Sequence, residues 1–423
     1  MGKLSLPARC ALVVLIALTV ALVMPRTRSD APRAEPERAA VSRSGVLGGA
    51  NYRIEAPANW RGGLVVFAHG IQRGVGPGDV TNPPIAGHII GEGHAWAASG
   101  YRAREYQAHL FLEDLVALRE LFLNEIGRPR WTVIYGQSMG GHLVVASLEL
   151  RPGLYQGGLA ECGLVDGVSI VDYLLAYTAA AELISGVPLL DAPDETSFAR
   201  MLHERVVPAL GMPGSYTARG RQFDSVVKYL MGADQAGHEL PMRLSGLQRR
   251  YLLNMVYRHP DVEQESKPGA RAGSTAHIRY RIDPGLGLTQ EEINARVRRL
   301  HPAKDARSPS ANPVYAERTG RLTVPLITLH ETGDAWVPLS LEQSYRRRTI
   351  AAGTDHLLVQ RVVRAGSHCG VDGETREQAF DDLVAWIERG VRPQGEDVLA
   401  PDLSRIGLKW TPALHPEDPL FRK

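Results

Sequence analysis

The sequence predicts an α/β fold in which parallel strands feed helices, and three observations carry that expectation. Gly63–Ala68 is a continuous apolar run, the pattern of a strand buried on both faces, Trp131–Tyr135 is apolar and rich in β-formers, and Gly157–Glu161, Leu326–His330 and His356–Val363 read as further strands. Helical patterns accompany them. Glu105–Ile126 places Leu110, Leu112, Leu115, Val116, Leu118, Leu121, Phe122 and Leu123 broadly on one wide face, and Gly141–Leu150 reads as a second helix. Finally, the runs end in loops rich in glycine and reactive side chains, as at His69-Gly70, Gly136 to Gly140 and Gly366-Ser367-His368. That places chemistry at the C-terminal edge of the sheet, where open α/β folds keep their sites.

Taken in order, the chain begins with a targeting segment. Lys3 and Arg9 precede an apolar run, Cys10–Met24, broken only by Thr19. The run is short for a membrane span and suits a signal-peptide core. No A-x-A site follows it, and Arg26 and Arg28 come early, so an uncleaved anchor (a membrane tether) is the alternative. Cys10 precedes the apolar core, the wrong place for a lipoprotein cysteine. Residues 1–24 are thus a signal peptide or anchor, and 25–45, rich in Pro, Arg, Ala, Ser and Glu, a disordered linker. The α/β core occupies 46–162 and 321–392, an insertion 163–320, and a proline-rich surface tail 393–423.

The strand Trp131–Tyr135 leads into Gly136-Gln137-Ser138-Met139-Gly140 and then into the helix. In that context G-x-S-x-G forms a sharp strand-to-helix turn presenting the serine. A serine hydroxyl is a poor nucleophile near neutral pH and needs a base, itself oriented by an acid. The order serine, acid, histidine is met by Asp334, in a G-D-x-x-V-P loop after the strand Leu326–His330, and by His368, in a glycine-flanked loop after His356–Val363. Glu331 and Asp372 are rival acids; spacing favours Asp334. The run Gly63–Ala68 ends in His69-Gly70-Ile71-Gln72, a loop suited to donate one backbone N–H to an oxyanion, from Ile71 or, one residue on, Gln72; Met139 supplies the other.

These motifs resemble the α/β-hydrolases, in particular secreted serine esterases. The resemblance rests on Tyr135 to Gly141 and on Gly93 to Tyr101, a strand and turn that precede the helix before the elbow. It covers roughly residues 50–165 and 320–392. It implies an eight-stranded, mostly parallel sheet flanked by helices, an acyl-enzyme route, and a cap carried by the insertion. Helical segments are expected there at Ile170–Ile184, Phe198–Leu210, Phe223–Met231 and Leu244–Tyr257, with 258–320 rich in loops. Tyr173, Leu174, Tyr177 and Leu183 are candidate pocket residues, or simply cap core. Residues 377–390 read as a terminal helix stopped by glycine. After export only Cys162 and Cys369 remain, both at the C-terminal edge of the sheet, and a disulfide between them is expected. Tannase-like and some feruloyl esterases pair the cysteine after the histidine with one just before the serine; here Gln137 holds that position, a departure from their pattern.

The chain has 423 residues, 44% hydrophobic, with a net charge of +2. Lacking a long basic run or a stacking-aromatic motif, it gives no reason to expect a nucleic-acid partner. His88 and His94 have no third ligand in sight, so neither a metal nor another cofactor is expected. The expected activity is hydrolysis of a small or polymeric carboxylic ester. A peptidase or amidase on the same fold, and a non-catalytic binding protein on this scaffold, are the alternatives.

Overall fold

The computed structural model describes residues 39–232, 272–310 and 313–411. Eight strands form one sheet: β1 Val41–Leu47, β2 Ala50–Ala56, β3 Gly63–Ala68, β4 Ala95–Ser99, β5 Trp131–Gln137, β6 Gly157–Glu161, β7 Leu326–Glu331 and β8 Leu358–Val363. Their order is β1-β2-β4-β3-β5-β6-β7-β8. The pairs β1–β2 and β2–β4 are antiparallel and the rest parallel. Alternation along β3 explains its unbroken apolarity. Leu64, Val66 and Ala68 enter the core on one face of the sheet, Val65 and Phe67 on the other.

The helices are α1 Ala86–Gly91, α2 Ala108–Glu125, α3 Met139–Leu150, α4 Ser169–Ser185, α5 Glu195–Met201, α6 Val207–Leu210, α7 Ala218–Leu230, α8 Gln290–Arg296, α9 Leu339–Ala352 and α10 Gly373–Arg389. One face of the sheet is covered by α2 and α3, through Leu112, Leu115, Leu118, Leu143 and Val144. The other is covered by α1 and α10, through Ile89, Phe380, Leu383 and Trp386.

Several elements depart from the sequence expectation. The linker expected through residue 45 ends earlier, because β1 begins at Val41. Most of β1 is exposed, so it has no apolar face to announce it. It is held instead by its ladder to β2 across Gly48-Gly49, whose positive φ values (57° and 89°) suit a tight hairpin turn. The helix expected over Phe198–Leu210 is three pieces, α5, a π-helical turn Leu202–Val206, and α6. The segment Leu244–Tyr257 lies outside the described residues, as does the N-terminal segment 1–24.

Within the insertion, α4 and α7 pack through Tyr177 and Phe223, whose rings stand edge to face with centroids 5.0 Å apart. Ion pairs of Arg348 tie the insertion to the core, and those of Arg307 brace the insertion itself. Arg348 of α9 meets Asp166 at 2.7 Å, Arg307 meets Asp172 of α4 at 2.8 Å, and both arginines reach Glu317. Past α10 the tail follows the free edge of β8. The Glu396 N–H donates to the Gln360 carbonyl (2.7 Å), the Val362 N–H to the Glu396 carboxylate (3.0 Å), and the Arg364 N–H to the Thr411 hydroxyl (2.8 Å). Val398, Leu403 and Ile406 are buried there against Val362 and Leu339.

Candidate active site

Ser138 stands between β5 and α3 with φ 56° and ψ −120°, a conformation an L-residue holds only when its surroundings enforce it. Close backbone packing does the enforcing. A Cβ on Gly140 would lie 1.9 Å from the Ala68 carbonyl oxygen of β3, and one on Gly136 would lie 2.3 Å from the Gly140 carbonyl oxygen. Only glycine permits β3, β5 and α3 to converge so tightly. The Ser138 N–H donates to the Glu161 carbonyl (3.0 Å), and its carbonyl accepts from Gly141 (2.9 Å).

Asp334 and His368 reach the serine from the ends of β7 and β8. His368 Nε2 lies 2.8 Å from the Ser138 hydroxyl and Nδ1 lies 2.5 Å from an Asp334 carboxylate oxygen. A carboxylate only accepts, so Nδ1 carries the proton and Nε2 is left to accept from the serine. The other Asp334 oxygen takes the N–H groups of Trp336 (2.9 Å) and Val337 (3.1 Å), which fixes the fully buried carboxylate. The rival acids do other work. Glu331 accepts the Gly370 N–H at 2.5 Å, and Asp372 caps α10 through the Thr375 N–H at 2.9 Å.

The histidine loop is bound on three sides. A disulfide joins Cys369 to Cys162, whose residue follows β6. The Cys369 carbonyl accepts from Arg376 (3.0 Å), and the next N–H goes to Glu331. Arg376 is itself paired with Glu161 at 2.7 Å, and Glu161 accepts from the Tyr135 hydroxyl at 2.7 Å. Burial, reinforced by the nearby Asp334 and Glu161 carboxylates, pushes the Glu331 carboxyl well above the usual carboxylate range. Sequence reasoning missed this clamp. Its one signal is an acid as the last residue of a strand, which occurs in both β6 and β7.

Among the described residues, the Met139, Ile71 and Gln72 N–H groups have no backbone acceptor, so both candidate donors of the loop stay available beside Met139. Met139 opens α3, where such groups lack an intrahelical partner. Gln72, the neighbouring alternative, has its side chain bonded to Asp79 on both sides of the amide, at 2.8 Å each, which braces the loop. Two buried histidines brace the surroundings. His69 lies against Tyr101 (ring centroids 4.2 Å), its pKa lowered by burial to about 4. His142 of α3 joins the Tyr106 hydroxyl (2.5 Å) to the Val314 carbonyl (2.9 Å), its pKa lowered by burial to about 3. Of the candidate pocket residues, Tyr173, Leu174 and Tyr177 are buried and Leu183 partly so; Tyr173 reaches the acid loop through the Ala335 carbonyl at 3.1 Å. His88 meets Asp381 of α10 at 2.7 Å, and His94 packs on Trp131, with centroids 4.7 Å apart.

An antiparallel second strand in a parallel sheet ordered this way, with serine after β5, acid after β7 and histidine after β8, decides the architecture. The chain has the α/β-hydrolase fold. No family model matches it, and no curated protein does. Among solved structures the chain is similar to feruloyl esterase B from Aspergillus oryzae, at 13% identity, 84% of this chain and 81% of that one, TM-score 0.41. It is also similar to a hormone-sensitive lipase from a metagenome library (14%, covering 91% and 92%, TM-score 0.39). A third likeness is to Pyrococcus horikoshii acylaminoacyl peptidase (12%, covering 85% of this chain, TM-score 0.40), of which the chain spans only 43%. At these identities the likeness is one of fold.

Proposed function

We propose that this α/β-hydrolase cleaves carboxylic esters through an acyl-enzyme. The observation that carries the reading is the hydrogen-bonded relay from Ser138 through His368 to Asp334. His368 takes the Ser138 proton as the oxygen attacks the ester carbonyl, and Asp334 stabilises the imidazolium that forms. The Met139 and Ile71 N–H groups receive the oxyanion, with Met139 helped by the positive end of α3. His368 then protonates the departing alcohol. Water, deprotonated by the same nitrogen, releases the acid and frees the serine. This chemistry draws on side chains and backbone amides alone, with no cofactor in the proposed route.

The reading extends to location. A disulfide favours an oxidising compartment, supporting export. Among the described residues no helix is long and apolar enough to cross a membrane, and the proposed tether would be the apolar segment Cys10–Met24.

Fluorophosphonate labelling of wild type beside Ser138→Ala and His368→Ala tests the reading. Labelling is expected in wild type and absent in both variants, with ester turnover lowered on the order of 10⁴-fold in each. A folded wild type that neither labels nor turns over esters would overturn it. Faster cleavage of matched aminoacyl amides than of esters would move it to a peptidase.

A further inference from the structure

The acid loop presents a single side chain to solvent. From Leu326 to Leu339 every residue is buried except Trp336, which is 40% exposed. The loop around it has little freedom. The Trp336 and Val337 N–H groups are bonded to Asp334, the Ala335 carbonyl accepts from the Tyr173 hydroxyl, and the Val337 carbonyl is 2.8 Å from His330 Nε2. The indole thus sits on a rigid support, with its ring centroid 5.7 Å from that of His368 and the planes tilted by 49°. Scattered exposed apolar residues are ordinary on a protein surface. A preorganised indole beside the imidazole that would protonate a leaving group is a specific placement, and an aromatic surface held this way binds a flat apolar group at small entropic cost.

Which part of an ester meets it follows from the order of bonds. Resting on the reading of Ser138 as an acylated nucleophile, attack forms the bond from serine oxygen to acyl carbon. Collapse breaks the bond from acyl carbon to alcohol oxygen, and the electron pair leaves with that oxygen, which takes the proton from His368 Nε2. The alcohol oxygen must therefore face His368, while the oxyanion faces the Met139 and Ile71 amides. We propose that Trp336 is the recognition surface for the alcohol portion of the substrate, and that the preferred substrates are esters of alcohols bearing a flat, aromatic group next to the ester oxygen. The acyl portion is held elsewhere.

The test compares two ester series with wild type, Trp336→Ala and Trp336→Phe. Methyl acetate and benzyl acetate share an acyl group and differ in the alcohol; methyl acetate and methyl phenylacetate share the alcohol and differ in the acyl group. Wild type is expected to prefer benzyl over methyl acetate. Trp336→Ala should lower kcat/KM for benzyl acetate about tenfold, the scale of one lost aromatic contact with its buried area, with methyl acetate little changed. The ratio between the two methyl esters should stay as in wild type, and Trp336→Phe should retain most of the benzyl preference. Fluorophosphonate labelling of Ser138 in each variant shows that the site is assembled. A uniform loss on all esters overturns the inference, since it would make Trp336 a water shield over the His368–Asp334 hydrogen bond. A loss confined to the acyl series, or no benzyl preference in a wild type that hydrolyses esters, overturns it too. A wild type that neither labels nor hydrolyses any ester overturns the ester reading, and the inference with it.

Discussion

Ser138 and His368 are brought within hydrogen-bonding distance by opposite means. The serine belongs to regular structure, the junction of β5 and α3, and is held by backbone packed against backbone. The histidine belongs to an irregular loop and is held by side chains: a disulfide, a buried carboxyl, an arginine and the Asp334 carboxylate. Regular elements can hold a group through sterics alone. A loop has no ladder to hold it, and its position must be tied by discrete links. Damage should accordingly be all-or-none on the serine side and graded on the histidine side.

The largest effect is expected from Gly140→Ala. Its methyl group would meet the Ala68 carbonyl oxygen, and neither backbone can yield without moving β3 or α3. We expect destabilisation of at least about 3 kcal/mol and no fluorophosphonate labelling, read by denaturant titration and gel fluorescence. A stable, active Gly140→Ala protein would break the contrast at its steric end.

Removing the disulfide should be milder and graded. Cys162→Ala with Cys369→Ala frees one tie and leaves the Glu331 and Arg376 bonds. Stability should fall by about 2–5 kcal/mol, and kcat about tenfold, with KM nearly unchanged because only the base is loosened. Steady-state kinetics with and without a reductant on wild type check the same point.

A smaller effect separates the two functions of Glu331. Glu331→Gln keeps an acceptor for the Gly370 N–H, so activity near neutral pH should stay close to wild type, whereas Glu331→Leu, which removes it, should lower kcat several-fold. The carboxyl also carries a pH signature. Its folded pKa is raised above the model-compound value of 4.5. Between 4.5 and the raised value the folded chain keeps a proton the unfolded chain has released, so this group's stabilising share is complete below 4.5 and is lost as pH rises through the folded pKa. The urea midpoint of Glu331→Gln should therefore gain on wild type with rising pH, and a constant difference across that range would contradict it.

The smallest effect tests strain itself. Ser138→Gly and Ser138→Ala both lack the hydroxyl, but only glycine accommodates φ 56° without cost. The glycine variant should be more stable than the alanine variant by about 1 kcal/mol in denaturant unfolding.

The same contrast explains what the sequence reveals. Strands buried on both faces are legible in the apolar runs of β3 and β5 and in the mostly apolar stretches of β6, β7 and β8, which carry a few buried polar residues such as Thr328, Gln360 and Arg361, and the glycines of the elbow mark its steric demand. β1 leaves little trace because it is exposed, and α9 because its inner face is largely polar. Glu342 of α9 accepts from Thr328 and Gln360 inside the core, and Gln343 reaches the Val398 carbonyl, so no apolar period announces the helix. The clamp of Glu161, Glu331 and Arg376 is assembled from three distant elements and has no local period. Chain order alone arranges Ser138, Asp334 and His368, since one fold places all three at the same sheet edge.

The tail along β8 has a consequence for how the chain can be cut. The Gln360 carbonyl and the N–H groups of Val362 and Arg364 face outward, and each is bonded to the segment between Glu396 and Thr411. A protein shortened to end at Arg389 would keep every residue of the relay and would also carry an open ladder, with Val362 uncovered beside it. Such an edge is a template for a strand from another molecule. The last part of the chain thus works as a selvedge, the woven border that keeps the fabric of the sheet from joining its neighbours.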